Sequence, residues 1–187
     1  MFYLFSEKVV SLQIEKMENT MINISLPDGS VKQFEAGVTP FDVAKSISDG
    51  LARAVVSASV NGQTVELNRT INEDCSLRLF TWNDVEGKQT FWHSSAHLMA
   101  AAVLELYPNA KFGIGPAIEN GFYYDIDFGD KVLSSEDFPK IEAKMQEIAK
   151  AGVGLVRKEV SKAEALKFFA DKGEVYKTEL IEELEDG

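Results

Sequence analysis

Met21-Ile22-Asn23-Ile24-Ser25-Leu26-Pro27-Asp28-Gly29-Ser30-Val31-Lys32-Gln33-Phe34 is the stretch from which the fold of this chain is read. Ile22, Ile24 and Leu26 alternate with Asn23 and Ser25, the period of two expected of a half-buried strand. Pro27-Asp28-Gly29-Ser30 is turn chemistry, and Val31 to Phe34 returns, so a hairpin is predicted. Working outward, Thr39 before Pro40 predicts an N-cap with proline in the first turn. Phe41, Val43, Ala44 and Ile47 follow at near-helical spacing, and Gly50 is expected to end the helix. Ala54 to Val60 then reads as a strand, Asn61-Gly62 as a tight turn, Gln63 to Leu67 as a short strand and Ser76 to Phe80 as another.

Strand, strand, helix, strand, short strand, strand within residues 21–82 is the β-grasp, or ubiquitin-like, order: a mixed sheet over one helix. No acid–base pair, phosphate loop or ligand cluster lies in it, and Asp42 and Asp49 read as solvated helix residues, so a binding or spacer module is expected. Cys75, the only cysteine, has no partner for an internal disulfide and no ligand-spaced neighbour, and reads as a small strand residue. Residues 1–20 show no clean period and read as a leader, either a short extra helix or sequence upstream of the true start at Met17 or Met21. Their lack of a basic segment and a sustained apolar run argues against a secretory signal, so a cytoplasmic protein is expected.

Residues 83–90 read as a polar bridge between domains, with Thr90 as the cap of a helix from Phe91 to the stop at Pro108. Only Glu105 carries a formal charge on that helix, so it is expected to be central and buried. It holds the chain's only two histidines, His93 and His97, one turn apart on one face. One reading makes them core residues satisfied by backbone carbonyls. The other makes them two ligands to a metal, or two imidazoles facing a substrate, although Ser94 stands where a metalloprotease would carry glutamate.

Beyond Pro108, strand segments are broken by Gly113, Gly115 and Gly121, as suits backbone approached closely by a ligand or another chain. Gly113-Ile114-Gly115-Pro116 is no phosphate loop, because no helix with Lys-Ser/Thr follows; it reads as a pocket wall. Phe122, Tyr124, Ile126 and Phe128 share one strand face, while Tyr123, Asp125 and Asp127 share the other, which reads as solvated although two aspartates could hold a metal. A helix is expected from Ser134-Ser135-Glu136-Asp137 to Ala151-Gly152, a strand over Leu155–Val160, and a helix from Ser161 to near Gly173. Leu180, Ile181 and Leu184 fall on one side of an acidic ending.

Net charge is −11, with −3 over residues 21–90 and −7 over 91–187. That excludes a self-sufficient binder of nucleic acid, which needs a basic excess. No uncharged apolar run has the length and composition of a membrane span.

Three blocks together carry a resemblance: Leu26-Pro27-Asp28-Gly29-Ser30, His93-Ser94-Ser95-Ala96-His97-Leu98, and Ile114-Gly115-Pro116-Ala117-Ile118-Glu119-Asn120-Gly121-Phe122-Tyr123-Tyr124-Asp125. With them the chain from Met21 onward resembles the N-terminal region of bacterial threonyl-tRNA synthetases. The resemblance implies an α+β protein: a TGS domain of β-grasp type over 21–82, then an editing domain over 91–187 with its helix against an antiparallel sheet. That editing domain hydrolyses serine wrongly attached to the tRNA for threonine. It also implies the site residues, with His93, His97, Tyr124 and Lys177 forming the pocket, completed beyond Gly187 by a Cys-x-x-x-His segment.

An N-terminal fragment is therefore expected. No cofactor is implied for it; ATP, Mg and zinc belong to the catalytic domain of the family. The implied partners are the acceptor end of tRNA(Thr) and the rest of the synthetase, homodimeric through its catalytic domain. Two further classes stay open: a free-standing hydrolase of misacylated tRNA, and a metal-binding module built on the His pair.

Overall fold

The structure is a computed structural model and describes residues 20–152 and 160–184. The leader, apart from Thr20, and the strand expected over Leu155–Val160, apart from Val160, lie outside the described residues. The chain divides into two compact units between Thr90 and Phe91.

In the first unit, β1 (Met21–Ser25) and β2 (Val31–Glu35) form the expected hairpin, with Ile22 facing Phe34 and Ile24 facing Lys32. Its turn is closed by Ser30, whose amide and hydroxyl both donate to Asp28 Oδ1, and by Gly29 at φ 83°, a conformation open to glycine at no steric cost. α1 (Pro40–Ile47) starts in a capping box: Thr39 Oγ1 accepts the Asp42 amide, and the Asp42 carboxylate accepts the Thr39 amide at 3.1 Å. Asp42 is thus a capping partner rather than merely a solvated residue. Gly50 does not end the helix. Ser48 turns the chain out and caps a new short helix, α2 (Asp49–Ala54), by accepting the Leu51 amide.

β3 (Val55–Val60), β4 (Gln63–Val65) and β5 (Cys75–Thr81) complete a five-stranded sheet in the order β2-β1-β5-β3-β4. β1 and β5 run parallel at its centre and the other pairs are antiparallel. Ile22, Ile24, Val43, Ala58, Ile71, Cys75 and Leu77 pack into one buried cluster, the inward faces of a β-grasp closed by α1. Cys75 is a buried residue of this strand, and its thiol is pushed up by burial and then by Asp74 and Glu73, which disfavours the reactive thiolate.

The helix of the histidines, α3, spans Val85–Leu106. The segment expected to be a polar bridge is therefore mostly its first turns, and Thr90 lies inside it, its hydroxyl donating to the Glu86 carbonyl four residues back. The cause is local. Asp84 accepts the amide and hydroxyl of Thr81, and Gly87 lies so close to Thr81 that a Cβ there would stand 2.0 Å from its carbonyl oxygen. A polar sequence with a glycine here is a tight helix start, not a linker. Nor is α3 buried all round: Ala96, Ala102 and Val103 are buried while His93, His97, Ala101 and Leu104 are exposed. The core-histidine reading is overturned, because the small residues at 96 and 102–103 define the packed side and the histidines lie off it.

The second unit packs that side against two antiparallel two-stranded ladders. β6 (Lys111–Phe112) pairs with β9 (Ile126–Asp127), and β7 (Ala117–Ile118) with β8 (Gly121–Phe122). Between them the chain is not a continuous strand, yet Phe122 to Phe128 keeps the expected alternation: Tyr123, Asp125 and Asp127 are exposed while Phe122, Tyr124, Ile126 and Phe128 point inward. α4 (Phe138–Ala151) begins later than Ser134 and ends at Gly152 with φ 62°. Asp137 turns its carboxylate back to the Ser134 amide instead of capping the helix. Ile141, Met145 and Ile148 of α4 join Ala102, Val103, Ala110 and Phe112 in the second core. α5 (Lys162–Asp171) opens in a capping box between Ser161 and Glu164, and α6 (Val175–Glu182) follows. Among the described residues no helix is long and apolar enough to cross a membrane.

Candidate functional site

The four residues named from the sequence come from three elements of the second unit. α3 presents His93 and His97 with their Nε2 atoms 3.1 Å apart and their rings edge to face at 4.6 Å. That contact is a hydrogen bond only if one ring carries the Nε2 proton and the other a lone pair there. For two neutral rings the donor then has a bare Nδ1 and the acceptor a protonated one. The pair thus offers one free basic nitrogen and one N–H donor.

The strand segment after β8 supplies Tyr124. Its ring meets Phe112 edge to face at 5.3 Å, which fixes the plane, and Gly115 closes over its face: a Cβ on Gly115 would stand 2.5 Å from Cδ2. α6 supplies Lys177, whose Nζ donates to the Gly113 carbonyl at 3.0 Å and to the Tyr124 hydroxyl at 3.4 Å. Two of its three donors are thereby held, leaving one for a ligand.

Lys177 also reaches His97 electrostatically. The His97 imidazole is pushed below its ordinary value by partial burial first, then by His93 and by the Lys177 ammonium. Lowering a histidine keeps it neutral at pH 7 and able to take a proton.

Phe112, which acts through its ring, carried no sequence signal, whereas Gly113, which acts through its carbonyl, lay in the segment read as a pocket wall. Gly115 was legible as a close-approach glycine. Asp125 and Asp127 point outward, with Asp127 accepting the Tyr176 hydroxyl at 2.8 Å. Among the described residues, no three His, Cys, Asp or Glu side chains are grouped to hold a metal ion. Behind Tyr124 lies an apolar cavity of about 500 Å³ lined by Met99, Val103, Phe122, Tyr124, Ile126 and Phe128 among others.

Residues 22–81 match the family model of the TGS domain. Over 167 residues, 89% of the chain, the sequence is 55% identical to the threonine–tRNA ligase of Cytophaga hutchinsonii. It is 56% identical to that of Parabacteroides distasonis and 55% to that of Flavobacterium johnsoniae, again over 89% of the chain. The matched part is 26% of each relative, so the chain spans about a quarter of the length of the proteins it matches. Over most of its length, then, the chain is similar to the N-terminal region of the threonine–tRNA ligases, and it contains their TGS domain over residues 22–81.

Proposed function

We propose that the chain serves a threonine–tRNA ligase as its N-terminal part, and that its second unit proofreads by hydrolysing serine wrongly esterified to tRNA(Thr). The observations that carry this reading are two hydrogen-bonded pairs, His97 with His93 and Lys177 with Tyr124, and the Lys177 ammonium acting on His97. The logic of selection agrees. A pocket made for threonine rejects serine weakly, since one missing methyl changes binding by only about 1–3 kcal/mol, so a second site must remove the error.

An aminoacyl ester is already activated, and no protein nucleophile is required. A water bonded to the bare imidazole nitrogen attacks the ester carbonyl carbon, and its proton passes to that nitrogen. The carbonyl oxygen becomes an oxyanion, which the third N–H of Lys177 stabilises. The ester C–O bond then breaks, the imidazolium returns the proton to the ribose oxygen, and serine and tRNA leave. Tyr124 sets the depth of the pocket and offers its hydroxyl to the serine side chain. The partner is the acceptor end of tRNA(Thr), and the acidity of this chain assigns most of the grip on that polyanion to the rest of the ligase.

The test is deacylation of seryl-tRNA(Thr) by this chain and by a form extended through the Cys-x-x-x-His segment of the ligases. The extended form is expected to hydrolyse the ester, with His97→Ala slowing it by about 10²- to 10⁴-fold, the worth of one acid–base group. An inactive extended form, or one indifferent to His97→Ala, refutes the reading.

A second reading rests on the 3.1 Å separation of the two Nε2 atoms. Two imidazoles binding one tetrahedral zinc ion at their usual bond lengths stand about 3.3 Å apart. Elemental analysis of protein purified without chelator decides it: stoichiometric zinc lost in His93→Ala supports the metal reading, and metal-free active protein contradicts it.

A further inference from the structure

Lys177 stands on a helix with little to hold it in place locally. α6 has no side-chain bond capping its N-terminus and no fully buried residue, although it packs along α5. What fixes its first turn is the β6–β9 ladder. Lys111 and Asp127 are opposite one another in that ladder, a cation facing an anion, yet each side chain reaches to α6. Lys111 Nζ lies 3.9 Å from Glu174 Oε1, with the Glu174 side chain only 17% exposed. Asp127 Oδ1 is engaged by the Gly129 amide at 2.8 Å, which turns Oδ2 toward the Tyr176 hydroxyl, 2.8 Å away. The next residue is Lys177, whose ammonium lands on the Gly113 carbonyl just beyond the same ladder.

We propose that Asp127 and Lys111 are positioning residues for Lys177: through Tyr176 and Glu174 they clasp the start of α6 to the β6–β9 ladder and so set the ammonium against the Tyr124 hydroxyl and the Gly113 carbonyl. Of three contacts within four residues, those of Glu174 and Tyr176 fall on the ladder and that of Lys177 on the residue that follows β6, so loss of the clasp frees the lysine without touching the fold's two cores. The two clasping bonds differ in weight. The Tyr176–Asp127 bond is short and involves a carboxylate, which makes it the stronger kind; the Lys111–Glu174 pair is longer and adds less. The consequence for hydrolysis rests on the function proposed above, whereas the placement of Lys177 is tested without any substrate.

The groups acting on His97 are His93 on its own helix and Lys177 from α6, and these are the chain's only histidines, so both imidazole signals are followed by NMR through a pH titration of this chain. Lys177→Met is expected to raise the His97 midpoint, because the ammonium is one of the charges that hold it down. Tyr176→Phe keeps the ring and removes the hydroxyl; it is expected to recover much of that rise, and Asp127→Ala, which deletes the same bond from the other side, to match it. Asp127→Asn keeps one oxygen for the Gly129 amide and turns an NH2 toward Tyr176, whose hydroxyl oxygen then accepts instead of donating, and is expected to hold the midpoint nearer to wild type than Asp127→Ala does. In a Lys177→Met background Tyr176→Phe is expected to add nothing. A His97 midpoint unmoved by both Tyr176→Phe and Asp127→Ala while Lys177→Met shifts it overturns the clasp, and a midpoint unmoved by Lys177→Met overturns the placement itself. Seryl-tRNA hydrolysis lost while these shifts hold would leave the clasp standing and refute only the function.

Discussion

Gly115 lacks a side chain where the Tyr124 ring occupies the space one would fill. An alanine there must push an aromatic ring, not a flexible tip, by roughly 1 Å to restore ordinary contact. Because Tyr124 meets Lys177, the displacement is felt at the site, and a shift of that size costs about 100-fold where geometry governs the reaction. Gly115→Ala is therefore predicted to lower seryl-tRNA hydrolysis in the extended chain by about that factor, with an overpacking cost in stability of about 1–3 kcal/mol. Gly115→Ala with full activity would show that Tyr124 needs no fixed position.

Two titratable residues both cost stability on acidification, each in its own pH window. His97 is depressed in the fold, so the unfolded chain binds its proton more readily, and acidification through about pH 6.5 costs stability. Asp137 is lowered to about 2, chiefly by the Ser134 amide, then by the Tyr107 hydroxyl and by Lys131 and Lys140. Its contribution is present above about pH 4 and is lost as pH falls from there toward 2. Asp137→Asn is predicted to destabilise the second unit at neutral pH, the deficit shrinking toward zero near pH 2, as followed by denaturant melts at stepped pH. A deficit independent of pH would mean that the carboxylate's charge is irrelevant.

At the scale of elements, the hairpin and the β-grasp order were legible because period-two alternation and turn residues act over a few neighbours, and Ile22, Ile24 and Leu77 indeed close the core. The start of α3 was not, because Gly87 and its polar neighbours have the composition of a linker; only the packed Thr81 carbonyl shows why glycine is there. Overpacking of that kind costs typically 1–3 kcal/mol. Gly87→Ala is predicted to destabilise the first unit by about that much in urea melts, against about 1 kcal/mol for Thr39→Ala, which removes only a cap. The site divides in the same way. The i, i+4 histidines follow from helix geometry, but their exposure does not, since an apolar composition cannot say which side packs. Lys177 was named through the resemblance alone, because nothing in its own segment marks one lysine among several. The Gly113 carbonyl that holds it is a group every residue possesses.

For the whole molecule, a net charge of −11 sets how a polyanion can be approached. The chain alone is predicted to bind tRNA weakly, with a shallow salt dependence, because few counterions are released without a basic surface; a steep slope in filter binding would contradict this. His97 and Lys177 are proposed to belong to one hydrolytic site. Residues acting as a unit lose their effects non-additively. The decisive measurement is single-turnover hydrolysis of seryl-tRNA(Thr) by the extended chain as wild type, His97→Ala, Lys177→Met and the double variant. The double variant is predicted to be hardly slower than the worse single one. Losses that multiply, or single variants as fast as wild type, would contradict it.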